Sequence, residues 1–103
     1  MALDLETTGL DPKTDTIIEI AAIKFSLVFD GEKITIQNPE ERNMLINPWI
    51  PLPDEVTMIT GITQKMLEWR VQWEEIQEKV DEFIGKDSII LGHNVFFDVA
   101  MLE

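Results

Sequence analysis

The sequence predicts an α/β domain in which an antiparallel three-stranded meander is followed by helices and one parallel strand. Through residues 2–37, apolar and polar side chains alternate in short runs, which is typical of half-buried strands. Between residues 64 and 84, apolar side chains recur at steps of three and four, which is typical of amphipathic helices. A short apolar run at residues 89–91 then separates this pattern from a second helical one. Strands followed by helix, strand and helix indicate an α/β sheet.

The meander is delimited by its turns. Asp11-Pro12 breaks the chain after the first strand, and Asp30-Gly31 is a hairpin signal after the second. Polar residues and Pro39 favour a loop at residues 38–42. The expected strands are therefore residues 2–6, 16–27, 34–37 and, beyond that loop, 44–47.

Prolines and glycines divide the helical half. Three prolines between residues 48 and 53 exclude a regular helix there. We expect Asp54 to cap a short helix that ends at Gly61. The following pattern is either one helix from residue 64 or two helices with a break near residue 70, and Gly85 is placed to end it. Its apolar stripe consists of Trp69, Trp73, Ile76, Val80 and Phe83.

Composition limits the functions that are open to this chain. With 8 basic and 20 acidic residues, the net charge is −12. Such a protein has no broad basic surface for a phosphate backbone, so binding nucleic acid would require bound cations. The absence of cysteine excludes disulfides, zinc–thiolate sites and cysteine nucleophiles. Because neither a signal peptide nor a long apolar run is found, we expect a cytoplasmic protein without membrane contact.

Two carboxylates share one face of the first strand. Asp4 and Glu6 are two residues apart, so their side chains point to the same side, while Leu3 and Leu5 point inward. This arrangement is costly unless a cation lies between the carboxylates, and Mg²⁺ or Mn²⁺ is the natural candidate. Taken alone, an Asp-x-Glu pair is common, and an exposed sheet face explains it equally well.

The last helix adds a third acid. Asp98 follows Asn94 by four residues and comes near Asp4 if residues 89–91 lie beside the first strand. On their own, Asp98 is explained by the helix dipole and Asn94 by an N-cap. Phe97 is expected in the core or as a stacking surface. His93, the only histidine, is expected to be structural rather than catalytic.

Together these segments resemble a known family. Residues 2–12 read Ala-Leu-Asp-Leu-Glu-Thr-Thr-Gly-Leu-Asp-Pro and resemble the first motif of the DEDD exonuclease superfamily. Its DEDDh-type members include the proofreading subunit of bacterial replicative DNA polymerase, ribonuclease T and oligoribonuclease. Residues 92–98, Gly-His-Asn-Val-Phe-Phe-Asp, are similar to the second motif, and residues 60–67 to a connecting segment.

The resemblance implies an RNase H-like fold and two divalent metal ions, Mg²⁺ or Mn²⁺. It also implies hydrolysis of the terminal phosphodiester at the 3′ end of single-stranded DNA or RNA, in proofreading or trimming. A DNA polymerase subunit or a second copy of the chain would be the protein partner. The catalytic residues and metal ligands would be Asp4, Glu6 and Asp98. The residues bordering the terminal nucleotide would be Thr7, Leu10, Ile62, Asn94 and Phe97.

The family's third motif, a histidine followed several residues later by an aspartate, does not occur in the sequence. We therefore expect residues 1–103 to be an incomplete, truncated exonuclease domain with little or no activity as a separate peptide. One alternative is a non-catalytic exonuclease-fold module that binds a partner protein around Trp49. Another is a phosphatase with Asp4 as nucleophile, but it would require aspartate in place of Glu6 and leaves residues 94–98 unexplained.

Overall fold

The computed structural model describes residues 1–85, 89–92 and 95–102. In these ranges the chain forms three strands and then four helices. They are β1 (Ala2–Thr7), β2 (Ile17–Asp30), β3 (Lys33–Leu45), α1 (Asp54–Thr60), α2 (Gln64–Leu67), α3 (Trp73–Ile84) and α4 (Val95–Leu102). None of the helices in the described ranges is long and apolar enough to cross a membrane.

The strands form one antiparallel sheet in the order β1-β2-β3. Pairing between β1 and β2 ends at Ile23, whereas pairing between β2 and β3 continues to Asp30 and Lys33 at the predicted hairpin turn. The outer part of the β2–β3 hairpin therefore projects from the sheet as a two-stranded arm, defined here as residues 26–37. This arm contributes to an elongated shape of 51 × 26 × 23 Å.

β3 is longer than the sequence predicts. The expected loop at residues 38–42 and the separate strand after it are wrong, because Lys33–Leu45 is one continuous strand. The pairing register shifts between Lys24 and Ser26, opposite Asn38 and Pro39, and Asn38 has a φ of 53°. A bulge at this point accommodates a proline, which has no N–H to donate, in a strand at the edge of a sheet.

The main core lies between one face of the sheet and the helices α3 and α4. Its buried members are Met1, Leu3, Leu5, Ile17, Ile20, Ala22, Ile46, Ile76 and Met101. The predicted stripe on α3 packs against this core through Trp73, Val80 and Phe83. Trp69 does not belong to the stripe: it is 91% exposed and lies between α2 and α3. The helical pattern is thus broken near residue 70, the second of the two predicted possibilities.

A second, smaller core joins the proline-containing segment to the sheet. It consists of Ile18, Leu52, Ile62 and Leu67. α1 ends as predicted at Gly61, whose φ is 76° and whose N–H donates to the Thr57 carbonyl. The prediction for its start was wrong, because Pro53 is the N-cap and Asp54 is the first helical residue. At that position Asp54 still interacts favourably with the helix dipole.

Residues 89–91 lie beside β1 in parallel, as the sequence predicts. The Leu3 N–H donates to the Leu91 carbonyl at 2.9 Å, and the Leu91 N–H donates to the Met1 carbonyl at 2.8 Å. The segment is not the buried strand that was expected, because the side chains of Ile89 and Leu91 are exposed and only an isolated bridge forms. This pairing leads the chain from the edge of β1 toward α4.

Candidate active site

β1 presents its two carboxylates on one side of the sheet and its leucines on the other. Leu3 and Leu5 are buried in the main core, whereas Asp4 is exposed and Glu6 is half-buried. This alternation follows from the period-two geometry of a strand. The shared face predicted for Asp4 and Glu6 is therefore confirmed.

Glu19 on β2 lies directly opposite Glu6 on β1, while Ala21 lies opposite Asp4. Directly opposed residues of an antiparallel pair have side chains on the same face, about 4.5–5.5 Å apart at Cβ. Glu19 is also half-buried. The sequence analysis did not single it out. The available signal was an acid between Ile18 and Ile20 in an otherwise apolar strand.

Asp98 lies in the first turn of α4 and is only 5% exposed. Its negative charge adds to that of the sheet acids at Glu6, as the smallest of the contributions. Burial raises the pKa of the Glu6 carboxyl, and the negative charges of Asp4, Glu19 and Asp98 raise it further, in that order. Negative charges from β1, β2 and α4 therefore contribute to the raised pKa of one half-buried carboxyl group.

The chemistry of these side chains fits a hard divalent cation. All four are oxygen donors, the ligands that Mg²⁺ and Mn²⁺ prefer. Burial, and after it the negative charges nearby, raise the pKa of the Glu6 carboxyl, and a bound cation would offset the part that comes from those charges. Within residues 1–85, 89–92 and 95–102, no group of three or more histidine or carboxylate side chains is arranged to hold a metal ion. Among the described residues, these carboxylates therefore affect the pKa of Glu6 without being arranged as a ligand shell.

The loop after β1 is held by Asp15. Its carboxylate accepts a hydrogen bond from the Thr8 hydroxyl at 2.9 Å and another from the Asp11 N–H at 2.9 Å. The Thr8 hydroxyl in turn accepts from the Thr16 N–H at 3.0 Å. These bonds fix the path of the chain between β1 and β2. Sequence reasoning missed Asp15, because its partners come from a loop conformation that no periodicity encodes.

Gly9 is required by the same arrangement. A Cβ atom at this position would clash with the Asp15 carboxylate, because it would lie closer to the carboxylate than real Cβ atoms come to other atoms. The carboxylate cannot move aside without losing its bonds to Thr8 and Asp11. The motif glycine therefore serves close packing against Asp15, and the loop it belongs to carries Leu10, which is 87% exposed.

The other predicted substrate-binding residues have different environments. Thr7 is half-buried at the end of β1, and its hydroxyl donates to the Gly9 carbonyl. Ile62 is buried in the second core, and Phe97 is half-buried against the main core. Asn94, like His93, lies outside the described residues. Thr7 is thus the last residue of the carboxylate strand and Leu10 follows it in the next loop, while the Ile62 side chain belongs to the interior.

Comparison with protein families gives one match over the full chain. The model of the RNase T family, described as exonuclease, matches residues 1–103. DNA polymerase III PolC-type of Thermotoga maritima is 43% identical over 105 aligned residues, which cover 100% of this chain and 7% of that protein. The chain therefore spans about 7% of the length of the curated relatives it matches.

Several solved structures resemble the chain, among them those of exonuclease X and exonuclease I. Exonuclease X in complex with 5′ overhanging duplex DNA aligns with a TM-score of 0.68 and 28% identity, covering 99% of this chain and 52% of that one. E. coli exonuclease I in complex with a dT13 oligonucleotide aligns with a TM-score of 0.76 and 23% identity, covering 98% and 22%. The antiparallel sheet followed by helices matches these structures, so the expected RNase H-like α/β fold is confirmed.

Proposed function

The chain belongs to the RNase T exonuclease family, and from that premise we propose that it carries the carboxylate part of a metal-dependent 3′–5′ exonuclease site. The observation that carries the proposal is that Asp4, Glu6 and Glu19 share one face of β1 and β2. In agreement with this, the pKa of Glu6 is raised by burial and by the charges of Asp4, Glu19 and Asp98. A partly buried cluster of like charges is costly in a fold unless it serves a ligand.

Asp4, Glu6 and Asp98 are the proposed ligands of two Mg²⁺ or Mn²⁺ ions. When bound, such ions supply a nucleophile at neutral pH and stabilise the leaving oxygen in phosphodiester hydrolysis. The chain's own residues prepare the site in different ways. β1 fixes the shared direction of Asp4 and Glu6, and α4 holds Asp98 in a nearly inaccessible position. Both arrangements are set by packed elements rather than by loops, which favours a defined geometry.

Bound cations would also resolve the charge problem of this protein. A chain with a net charge of −12 repels a phosphate backbone. Divalent ions at Asp4 and Glu6 would place positive charge where the terminal phosphate must approach. Binding of nucleic acid is therefore proposed to depend on the metal more strongly than on lysine and arginine side chains.

The proposed substrate is the 3′ end of a single DNA strand. The name DNA polymerase III PolC-type, carried by a relative 43% identical to this chain, supports DNA over RNA and proofreading over trimming. The exposed Leu10 and the neighbouring Thr7 are proposed to border the terminal nucleotide, together with Asn94 and Phe97. The buried Ile62 would support this surface from the interior.

The peptide of residues 1–103 is proposed to hydrolyse DNA poorly by itself. The residues that match the family's motifs supply three acids, but the histidine and aspartate of the third motif do not occur in the sequence. His93 belongs to the second motif and would not replace that general base. We therefore expect this peptide to bind metal ions but to cleave DNA poorly.

The test is a calorimetric titration of Mn²⁺ into the wild type, Asp4→Ala and Glu32→Ala, with degradation of a single-stranded oligonucleotide measured in parallel. Glu32 is an exposed acid at the hairpin turn and serves as the matched control. We expect Mn²⁺ binding in the wild type and the control, its loss in Asp4→Ala, and little cleavage by any of them. Equal binding by all three proteins would contradict the proposed site. Cleavage that requires Asp4 would contradict the proposed inactivity.

A further inference from the structure

A concave surface lies on the face of the sheet opposite the carboxylates. It is a groove of about 220 Å³ between the sheet and α3. Its floor is formed by residues of β1 and β2 that are next to Asp4, Glu19 and Ala21 in the sequence. Because side chains alternate along a strand, those of the floor point to the opposite face of the sheet. Its lining is mainly apolar and includes Leu3 and Ile20 from the sheet and Val80 and Phe83 from α3.

The rim of this groove is positive. Arg42 from β3 and Lys79 from α3 line it, and no acidic side chain does so among the described residues. This is unusual in a protein with 20 acidic and only 8 basic residues. Arg42 forms one exposed ion pair, with Glu40 at 3.6 Å. Exposed pairs of this kind contribute little, so another carboxylate can displace Glu40.

The wall of the groove is fixed by Phe83. Its ring lies 5.2 Å from the Arg42 guanidinium carbon and 5.7 Å from the Lys24 Nζ. Lys24 Nζ also donates a hydrogen bond to the Phe83 carbonyl at 2.8 Å, which ties the end of α3 to β2. The aromatic wall and Arg42 on the rim are therefore in contact, and a ligand that pairs with Arg42 also meets the Phe83 ring.

We propose that this groove docks an acidic peptide segment that inserts one aliphatic or aromatic side chain between the sheet and α3. The volume of about 220 Å³ is below the roughly 300–1,000 Å³ of sites for drug-sized ligands, and it suits a single side chain. Carboxylates on either side of that anchor would pair with Arg42 and Lys79. An apolar anchor surrounded by complementary charge is the usual composition of a protein-binding hot spot.

Nucleic acid fits the groove less well than such a peptide. Affinity for a phosphate backbone grows with the number of phosphates neutralised, and the rim offers only Arg42 and Lys79. The apolar lining would face a strand whose outside is charged. The groove also opens on the face of the sheet opposite Asp4 and Glu6, so its proposed occupant is independent of the nuclease chemistry.

The test uses the 103-residue chain and a short fluorescent peptide in which aspartates flank a single phenylalanine. Fluorescence anisotropy gives the dissociation constant, and circular dichroism shows that each protein is folded. We expect saturable binding that weakens about tenfold or more in Arg42→Glu and in Lys79→Glu. Lys33→Glu is the matched control: Lys33 is an exposed lysine at the arm's turn, outside the groove. Its dissociation constant should stay within about twofold of the wild type.

Changes in the peptide test the same proposal without altering the protein. Replacing the phenylalanine by serine, or the aspartates by asparagines, should each weaken binding about tenfold. The proposal is overturned if folded wild-type protein fails to bind the peptide, or if the asparagine peptide binds equally well. It is also overturned if oligothymidylate displaces the peptide, since the groove would then be a nucleic-acid surface.

Discussion

Glu6 and Glu19 form a directly opposed pair across β1 and β2, two like charges at one position of the sheet. Such pairs destabilise a sheet, yet this one lies in the well-packed part of the fold, close to the buried Asp98. The protein thus tolerates an unfavourable pair of like charges next to strand residues that are buried in the core. This pair of like charges is what we expect at a site that binds a cation. Mutations in it should therefore affect the stability of the protein and the proposed function differently.

Removing one charge of this pair should stabilise the metal-free protein. Glu19→Gln keeps the size of the side chain and is expected to raise the free energy of unfolding by about 0.2–1 kcal/mol. Urea denaturation in the presence of a chelator measures the change. Glu32→Gln, at the exposed hairpin turn, is the control and should leave the stability nearly unchanged. A loss of stability in Glu19→Gln would show that Glu19 has a structural partner instead.

Stability should depend on pH through Glu6. Its pKa is raised above the ordinary value of 4.5, so the folded state binds this proton more tightly than the unfolded state does. The contribution of Glu6 is therefore fully present below about pH 4.5 and is lost as the pH rises through the raised pKa. Glu6→Gln should be more stable than the wild type at neutral pH. The difference should vanish below pH 4.5, and a constant difference would contradict the raised pKa.

The close contact between Gly9 and Asp15 should appear as coupling between two mutations. Gly9→Ala forces a Cβ into the Asp15 carboxylate and is expected to cost about 1–3 kcal/mol of stability. In an Asp15→Ala background the same change should cost clearly less, because the obstructing group is gone. Thermal denaturation of the four proteins completes the double-mutant cycle. Strictly additive effects would mean that Gly9 is needed for another reason.

The second core should be as important to stability as the first. Leu67 is 0% exposed and packs against Ile18 and Leu52. Leu67→Ala is therefore expected to reduce the free energy of unfolding by about 2–5 kcal/mol. Ile59→Ala is the matched control on α1, where the side chain is 85% exposed, and it should change stability by about 0.5 kcal/mol or less. Chemical denaturation compares the two variants.

Local patterns predicted the parts of the fold that local rules determine. The alternation of Leu3, Asp4, Leu5 and Glu6 gave the correct faces of β1, because strand geometry has a fixed period. Gly61 ended α1 as expected, because a left-handed cap position favours glycine. The parallel neighbour of β1 was also predicted correctly, although its side chains are exposed.

The remaining features depend on pairing and packing between distant residues. Asn38 and Pro39 have the composition of a loop, but the opposing strand β2 holds them in a bulge. Glu19 stands opposite Glu6 only in the observed register, and spacing along the chain does not reveal register. Trp69 fitted the helical period but lies beyond the end of α2. In each case tertiary structure decides between outcomes that the local sequence leaves open.

Because of the arm formed by residues 26–37, the backbone hydrogen bonds of β2 fall into two classes, those inside the three-stranded sheet and those inside the two-stranded arm. Up to Ile23, β2 has a strand on each side, whereas farther out β3 is its only strand partner in the described residues. A two-stranded ribbon is marginally stable in water. Amide protons of the arm should therefore exchange with solvent through local fluctuations, while those near Ile18 and Ile20 should exchange only on global unfolding. A single strand, β2, would then report both the weakest and the strongest parts of the fold.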